Sequence, residues 1–154
     1  MNQKTNRKRI LCSVLLAANL LLIWGNSLLP GSVSGEISGG LAALLEDILD
    51  LFGGKGELVL RKAAHFSEFA CLGLLLGWLF RLYGQKGIHQ VTLPLLCGML
   101  SALTDETIQV FVPQRGPSVI DVWIDTAGTA AGIGILLIGQ TILQKRKTNH
   151  IGGT

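Results

Sequence analysis

The chain has 154 residues, 49% of them hydrophobic and only 15% charged, whereas a soluble domain carries about a quarter charged residues. Twenty glycines and apolar residues gathered in long blocks exclude an ordinary soluble core and fit closely packed membrane helices. The net charge of +3 resides largely in basic runs at the two ends, without interleaved aromatics; this excludes a nucleic-acid surface and points to membrane orientation.

A spanning helix needs about 20 apolar residues to cross about 30 Å of hydrocarbon. Four stretches meet that need. The first is 10–29, ended by Pro30-Gly31. Its basic start resembles a signal peptide, but the apolar run is longer than an h-region and no A-x-A site follows, so a retained helix is expected. The first outer loop then opens with a Gly/Ser-rich stretch, Gly31 to Gly40. After it, Leu41, Leu44, Leu45, Ile48, Leu51 and Phe52 share one helical face while Glu46, Asp47 and Asp50 share the other. That pattern predicts a short amphipathic interfacial helix, ended by Gly53-Gly54. The remaining spans are expected at 63–83, 88–111 (stopped by Pro113) and 119–143. Cys12, Cys71 and Cys97 lie inside apolar stretches without metal spacing and read as small buried apolar residues. The expected fold is all-α: an integral membrane four-helix bundle plus the interfacial helix, one domain over 1–154.

Charge sets the expected orientation. Nine of the thirteen basic residues fall on one side: Lys4, Arg7, Lys8 and Arg9, then Arg81 and Lys86, then Lys145, Arg146 and Lys147. The positive-inside rule puts that side, with both termini, in the cytoplasm. All ten acids then fall in outer loops or in the outer halves of helices.

Three polar groups meet at that outer end. Arg61, His65 and Glu68 fall at i, i+4 and i+7 at the opening of the second helix, with Lys62 beside them. Asp105, Glu106 and Gln109 close the third helix. Arg115 lies in the following loop, Ser118 is placed to N-cap the fourth helix, and Asp121 and Asp125 follow on one face. That face continues inward as Gly128 and Gly132, a G-x-x-x-G that lets another helix approach closely, within one chain or in a homodimer. Charged residues inside a span are costly and normally face the bundle interior. One expectation is a site for an anionic or zwitterionic headgroup held by Arg61, Lys62, His65 and Arg115. The alternative is an internal salt-bridge network that locks the helices together. Glu68, Asp105, Glu106, Asp121 and Asp125 outnumber the fixed cations, so a divalent cation or a carboxylate base is also open, although no spacing here is a known metal box.

Lys62-Ala63-Ala64-His65-Phe66-Ser67-Glu68-Phe69, then Asp105-Glu106-x-x-Gln109-x-Phe111-x-Pro113-x-Arg115, then Ser118-x-x-Asp121-Val122-x-x-Asp125-x-x-Gly128-x-x-x-Gly132 resemble the VanZ-like family, the family of the teicoplanin-resistance protein. The resemblance covers roughly 58–140 and leaves the first helix and outer loop without a signature. This chain has Phe69 and Asp125 where that family usually has Tyr and Asn; the second departure puts an extra acid on the helix face. The resemblance implies a bacterial cytoplasmic-membrane protein of the cell envelope, linked to glycopeptide resistance. It implies no particular reaction.

Three functions are consistent with these residues. The first is an envelope protein that binds an anionic lipid or peptidoglycan-precursor headgroup at the outer leaflet. The second is a membrane enzyme acting on a lipid phosphate or headgroup, with His65 as acid/base and Asp105, Glu106 and Asp121 as metal ligands or bases. The third is a small transporter or structural membrane partner. No activated Ser or Cys motif is visible for the enzyme, and no internal repeat for the transporter.

Overall fold

The computed structural model describes residues 3–33, 40 and 56–151. Four long helices make up the bundle: α1 (Gln3–Ser27), α2 (Gly56–Leu82), α3 (His89–Val110) and α4 (Val119–Ile151). Each is long and apolar enough to cross a membrane, and no strand occurs among the described residues. The expected interfacial helix Leu41–Phe52 lies outside the described residues. The fold is an all-α membrane helical bundle.

Helix ends differ from expectation most where charge follows the apolar run. α1 begins at Gln3 rather than residue 10, α2 at Gly56 rather than 63, and α4 continues to Ile151 rather than 143. Apolar runs mark where hydrocarbon would lie, whereas Lys, Arg and Gln are good helix formers in water. The helices therefore run on past the hydrophobic stretch. One consequence is that Arg61 and His65 sit in the second and third turns of α2, beyond the first turn in which a helix dipole acts strongly.

Short connections set α2 antiparallel to α3 and α3 antiparallel to α4, and across the longer α1–α2 connection the N-terminal end of α1 meets the C-terminal end of α2. There Arg9 donates to the Leu82 carbonyl from Nε (3.0 Å) and Nη2 (2.7 Å) and lies 4.6 Å from the Tyr83 ring centroid. The outer surface is apolar: Leu11, Val14, Leu21, Leu22, Leu100, Trp123, Ile135 and Ile138 are exposed. Exposed Thr104 and Thr107 return their hydroxyls to the Leu100 and Leu103 carbonyls of their own helix, which suits a lipid-facing surface.

The core is small. Ile23 of α1, Phe69, Leu72 and Leu76 of α2, Ala102 of α3 and Val122 of α4 are buried together. The most extensive pairing is α2 with α4, and glycine makes it so close. A Cβ on Gly73 would overlap the Thr129 backbone, one on Gly128 the Phe66 carbonyl, and one on Gly132 the Ala70 carbonyl. The small-residue face of α4 is thus used within the chain, against α2. Gly98 opens α3 to the Thr129 side chain in the same way.

Gly132→Ala should force α2 and α4 apart. Helix propensity would gain about 1 kcal/mol, but overpacking a close contact costs about 1–3 kcal/mol, and here the obstruction is backbone. The variant should melt at lower temperature in detergent. Gly134→Ala, where an added Cβ meets nothing within 4 Å, should melt at the same temperature or higher.

Candidate functional site

The far ends of the helices hold the polar residues, and they form a graded network. Ser27 is at the C-terminal end of α1 and is fully buried. Its hydroxyl donates to Asp105 Oδ1 at 2.5 Å. One turn along α3, Gln109 Nε2 donates to Asp105 Oδ2 at 3.0 Å and to Glu106 Oε1 at 3.3 Å, and it lies 3.4 Å from the Ser27 hydroxyl. Asp105, 0% exposed, is therefore held from two sides.

Glu106 and Ser118 join α3 to α4. Ser118 Oγ accepts from the Ile120 N–H at 3.2 Å and so caps α4, while its own N–H donates to Glu106 Oε2 at 2.7 Å. A carboxylate accepting from a helix N-terminus also complements the dipole there. On α4, Asp121 pairs with Lys62 of α2.

The loop between α3 and α4 docks on α1. Arg115 donates from Nε to the Leu29 carbonyl at 3.0 Å and from Nη2 to the Asn26 carbonyl at 2.6 Å. The last carbonyls of a helix have no partner within it, and a guanidinium supplies one. Gly31 N–H adds a bond to the Pro113 carbonyl at 3.1 Å. The turn is tight enough that Gln114 adopts φ 61° and a Cβ on Gly31 would overlap the Gln114 carbonyl. Burial, with the like charge of Arg61, lowers the Arg115 pKa from its ordinary value; Asp105 and Glu106 act in the opposite direction. Arginine nevertheless stays charged.

Between α2, α3 and α4 lies a small cavity of about 10 Å³, roughly the room one water needs. Arg61, Lys62, His65, Glu106, Gln109, Asp121, Ile124 and Asp125 line it. The helices thus bring seven of the ten candidate ligand residues around one space. Asp105 lies behind that lining, against His65. Glu68 and Arg115 do not line it, and Arg115 spends two of its nitrogens on backbone carbonyls rather than on the cavity.

Not every polar group is served. His65 Nδ1 lies 4.0 Å from Asp105 Oδ2 and 3.9 Å from Asp125 Oδ1, both beyond hydrogen-bond length. His65 Nδ1, Glu68 Oε2, Arg115 Nη1 and both Asp125 oxygens are buried without a hydrogen-bond partner. Asp125 itself is 0% exposed. Among the described residues, His65, Asp105 and Asp125 form the group whose donor atoms converge closely enough to hold a metal ion.

One contributor, Ser27, and one role, that of Arg115, carried no sequence signal. Ser27 looked like one polar residue at the end of an apolar run, although a buried Asp105 on the same level demanded a donor from somewhere. The carbonyl-capping role of Arg115 depends on how the loop folds back over α1, which spacing does not encode.

The model of the VanZ/LLP1 family matches residues 7–141, which takes in α1 as well as the three helices that bear the polar groups. No curated protein and no solved structure shows a significant match. The chain belongs to the VanZ/LLP1 family.

Arg115→Ala would remove the guanidinium donors from the Asn26 and Leu29 carbonyls, leaving Asn26 with the Leu29 N–H alone. Losing hydrogen bonds to a charged donor at a half-buried site should cost about 2–3 kcal/mol. Arg115→Lys, without the planar fork, should recover only part of that. Denaturant unfolding of the purified protein in mixed micelles measures both; an unchanged midpoint for Arg115→Ala would show that α1 docks without it.

Proposed function

We propose that this VanZ/LLP1-family membrane protein works in the bacterial cell envelope, binding the anionic headgroup of a lipid or peptidoglycan precursor at the outer leaflet. The observation that carries this reading is Arg61. It lines the α2–α3–α4 cavity, and no ion-pair or hydrogen-bond partner for it is seen among the described residues. Lys62 stands beside it, shared with Asp121. A guanidinium one turn nearer the helix start than His65 is placed to meet a phosphate from the membrane face, in a bidentate manner that lysine cannot reproduce. Occupying a precursor headgroup would change glycopeptide access to it, which is the link to teicoplanin resistance that the family suggests.

This reading requires the polar end of the bundle to face outward. The opposite end carries Arg9, Arg81 and Lys86, and the positive-inside rule assigns it to the cytoplasm of a bacterial cytoplasmic membrane, with both chain termini there. A reporter fused after residue 150 should be active only as a cytoplasmic reporter; periplasmic or external activity would invert the assignment.

His65 lines the same cavity as Glu106 and Asp121, which favours a second reading, hydrolysis or transfer at a lipid phosphate with His65 as acid/base. The two separate cleanly. Purified protein titrated with phosphatidylglycerol or a lipid-linked pyrophosphate should bind it, and Arg61→Ala should weaken binding about tenfold, as expected for one charged contact of about 1.4 kcal/mol. Equal binding by Arg61→Ala would overturn the headgroup site. Release of a labelled headgroup that disappears in His65→Ala would instead make the protein an enzyme.

A further inference from the structure

We propose that His65, Asp105 and Asp125 bind one divalent first-row transition-metal ion, of the Zn²⁺ or Mn²⁺ type, at the inner end of the α2–α3–α4 cavity. One donor atom from each of the three lies within 4.8 Å of the other two. The imidazole nitrogen is 3.9 Å and 4.0 Å from the two carboxylate oxygens. These separations are too long for hydrogen bonds and slightly wide for ligands around an ion at about 2.0–2.2 Å, so closing on the ion needs shifts of about 1 Å or less.

Satisfaction of the buried groups points the same way. Both Asp125 oxygens and His65 Nδ1 are buried with no partner, and Asp125 is 0% exposed. Buried polar groups are rarely left so, because each costs free energy until something meets it. Asp105 is the opposite case. Ser27 and Gln109 occupy one lone pair on each of its oxygens, and Oδ2 still faces His65. That is the arrangement of a metal-binding carboxylate whose orientation is fixed by outer partners.

Charge gives an independent measure. Among the described side chains of the polar end, five carboxylates, Glu68, Asp105, Glu106, Asp121 and Asp125, stand against three fixed cations, Arg61, Lys62 and Arg115. With His65 neutral, two negative charges within this set remain uncompensated, and a divalent ion cancels them. Uncompensated charge at membrane depth is expensive. The ligand type selects the ion: one imidazole nitrogen with two carboxylate oxygens suits Zn²⁺ or Mn²⁺ rather than Ca²⁺ or Mg²⁺, which take oxygen ligands almost alone. Three protein ligands beside a cavity of about 10 Å³ leave a coordination position for water or a ligand oxygen. The site does not depend on headgroup binding, and its test contains no lipid ligand.

Full-length protein in detergent, stripped with EDTA, is titrated with Zn²⁺ and with Mn²⁺ by calorimetry. The expected result is one ion per chain, with affinity about tenfold or more weaker in the isosteric Asp125→Asn variant and unchanged in Arg81→Gln at the opposite end of the bundle. Absence of stoichiometric binding, or equal binding by Asp125→Asn, overturns the site and leaves protons to neutralise the cluster. Should Asp125→Asn not remain monodisperse, pulsed EPR of Mn²⁺ bound to the unmodified protein decides: coupling to an imidazole nitrogen supports the site, and its absence refutes it.

Discussion

Gly128 lies against the Phe66 carbonyl and Gly132 against that of Ala70, and the rest of the polar end depends on this approach. His65 precedes Phe66, and Asp125 is three residues, nearly one turn, before Gly128. The backbone contact that draws α2 to α4 therefore also brings the His65 ring to 3.9 Å from the Asp125 carboxylate. In lipid no hydrophobic force pulls two apolar helices together, so small residues that let backbones meet are what makes such a contact favourable. Larger residues at 128 and 132 would separate the helices and open the cavity between them.

The internal salt-bridge network and a functional site are not rivals for the same residues. Asp105, Glu106 and Asp121 each have a defined partner: Ser27 with Gln109, the Ser118 N–H, and Lys62. Those pairings lock α1 to α3, α3 to α4 and α2 to α4, which is structural work. His65 and Asp125 take no part in it. With Glu68, whose Oε2 is also without a partner, they are what the network leaves over, and an account based on locking alone has no use for a fully buried carboxylate such as Asp125 without a partner.

Much of this was legible in the amino-acid sequence. Long apolar blocks announce four spanning helices because the bilayer demands backbone self-satisfaction over a fixed thickness. The i, i+4 spacing of Asp105 with Gln109, and of Asp121 with Asp125, announces single polar faces. What spacing cannot carry is which residue of a distant helix answers them. Ser27 is recruited by its level in the bundle, 78 positions from Asp105. The helices also run past the apolar spans, from Gln3 where the first span begins at residue 10 and to Ile151 where the last ends at residue 143, because hydropathy reports solvent and not backbone conformation.

The fate of Arg115 shows why the anion-binding argument has to rest on α2. By residue type, Arg115 was the natural candidate for a carboxylate or phosphate. Yet the loop that carries it folds over the end of α1, where the Leu29 carbonyl lies past the last helical turn and the Asn26 carbonyl accepts otherwise only from the Leu29 N–H. A guanidinium that donates to two half-buried backbone oxygens cannot leave without giving up both charge-assisted bonds, so it is costly to redeploy toward a ligand. Lys62 is partly committed as well, to Asp121. Arg61 has neither obligation and lines the cavity directly. Of the three fixed cations at this end of the bundle, it alone can approach an incoming anion without first abandoning a partner among the described residues.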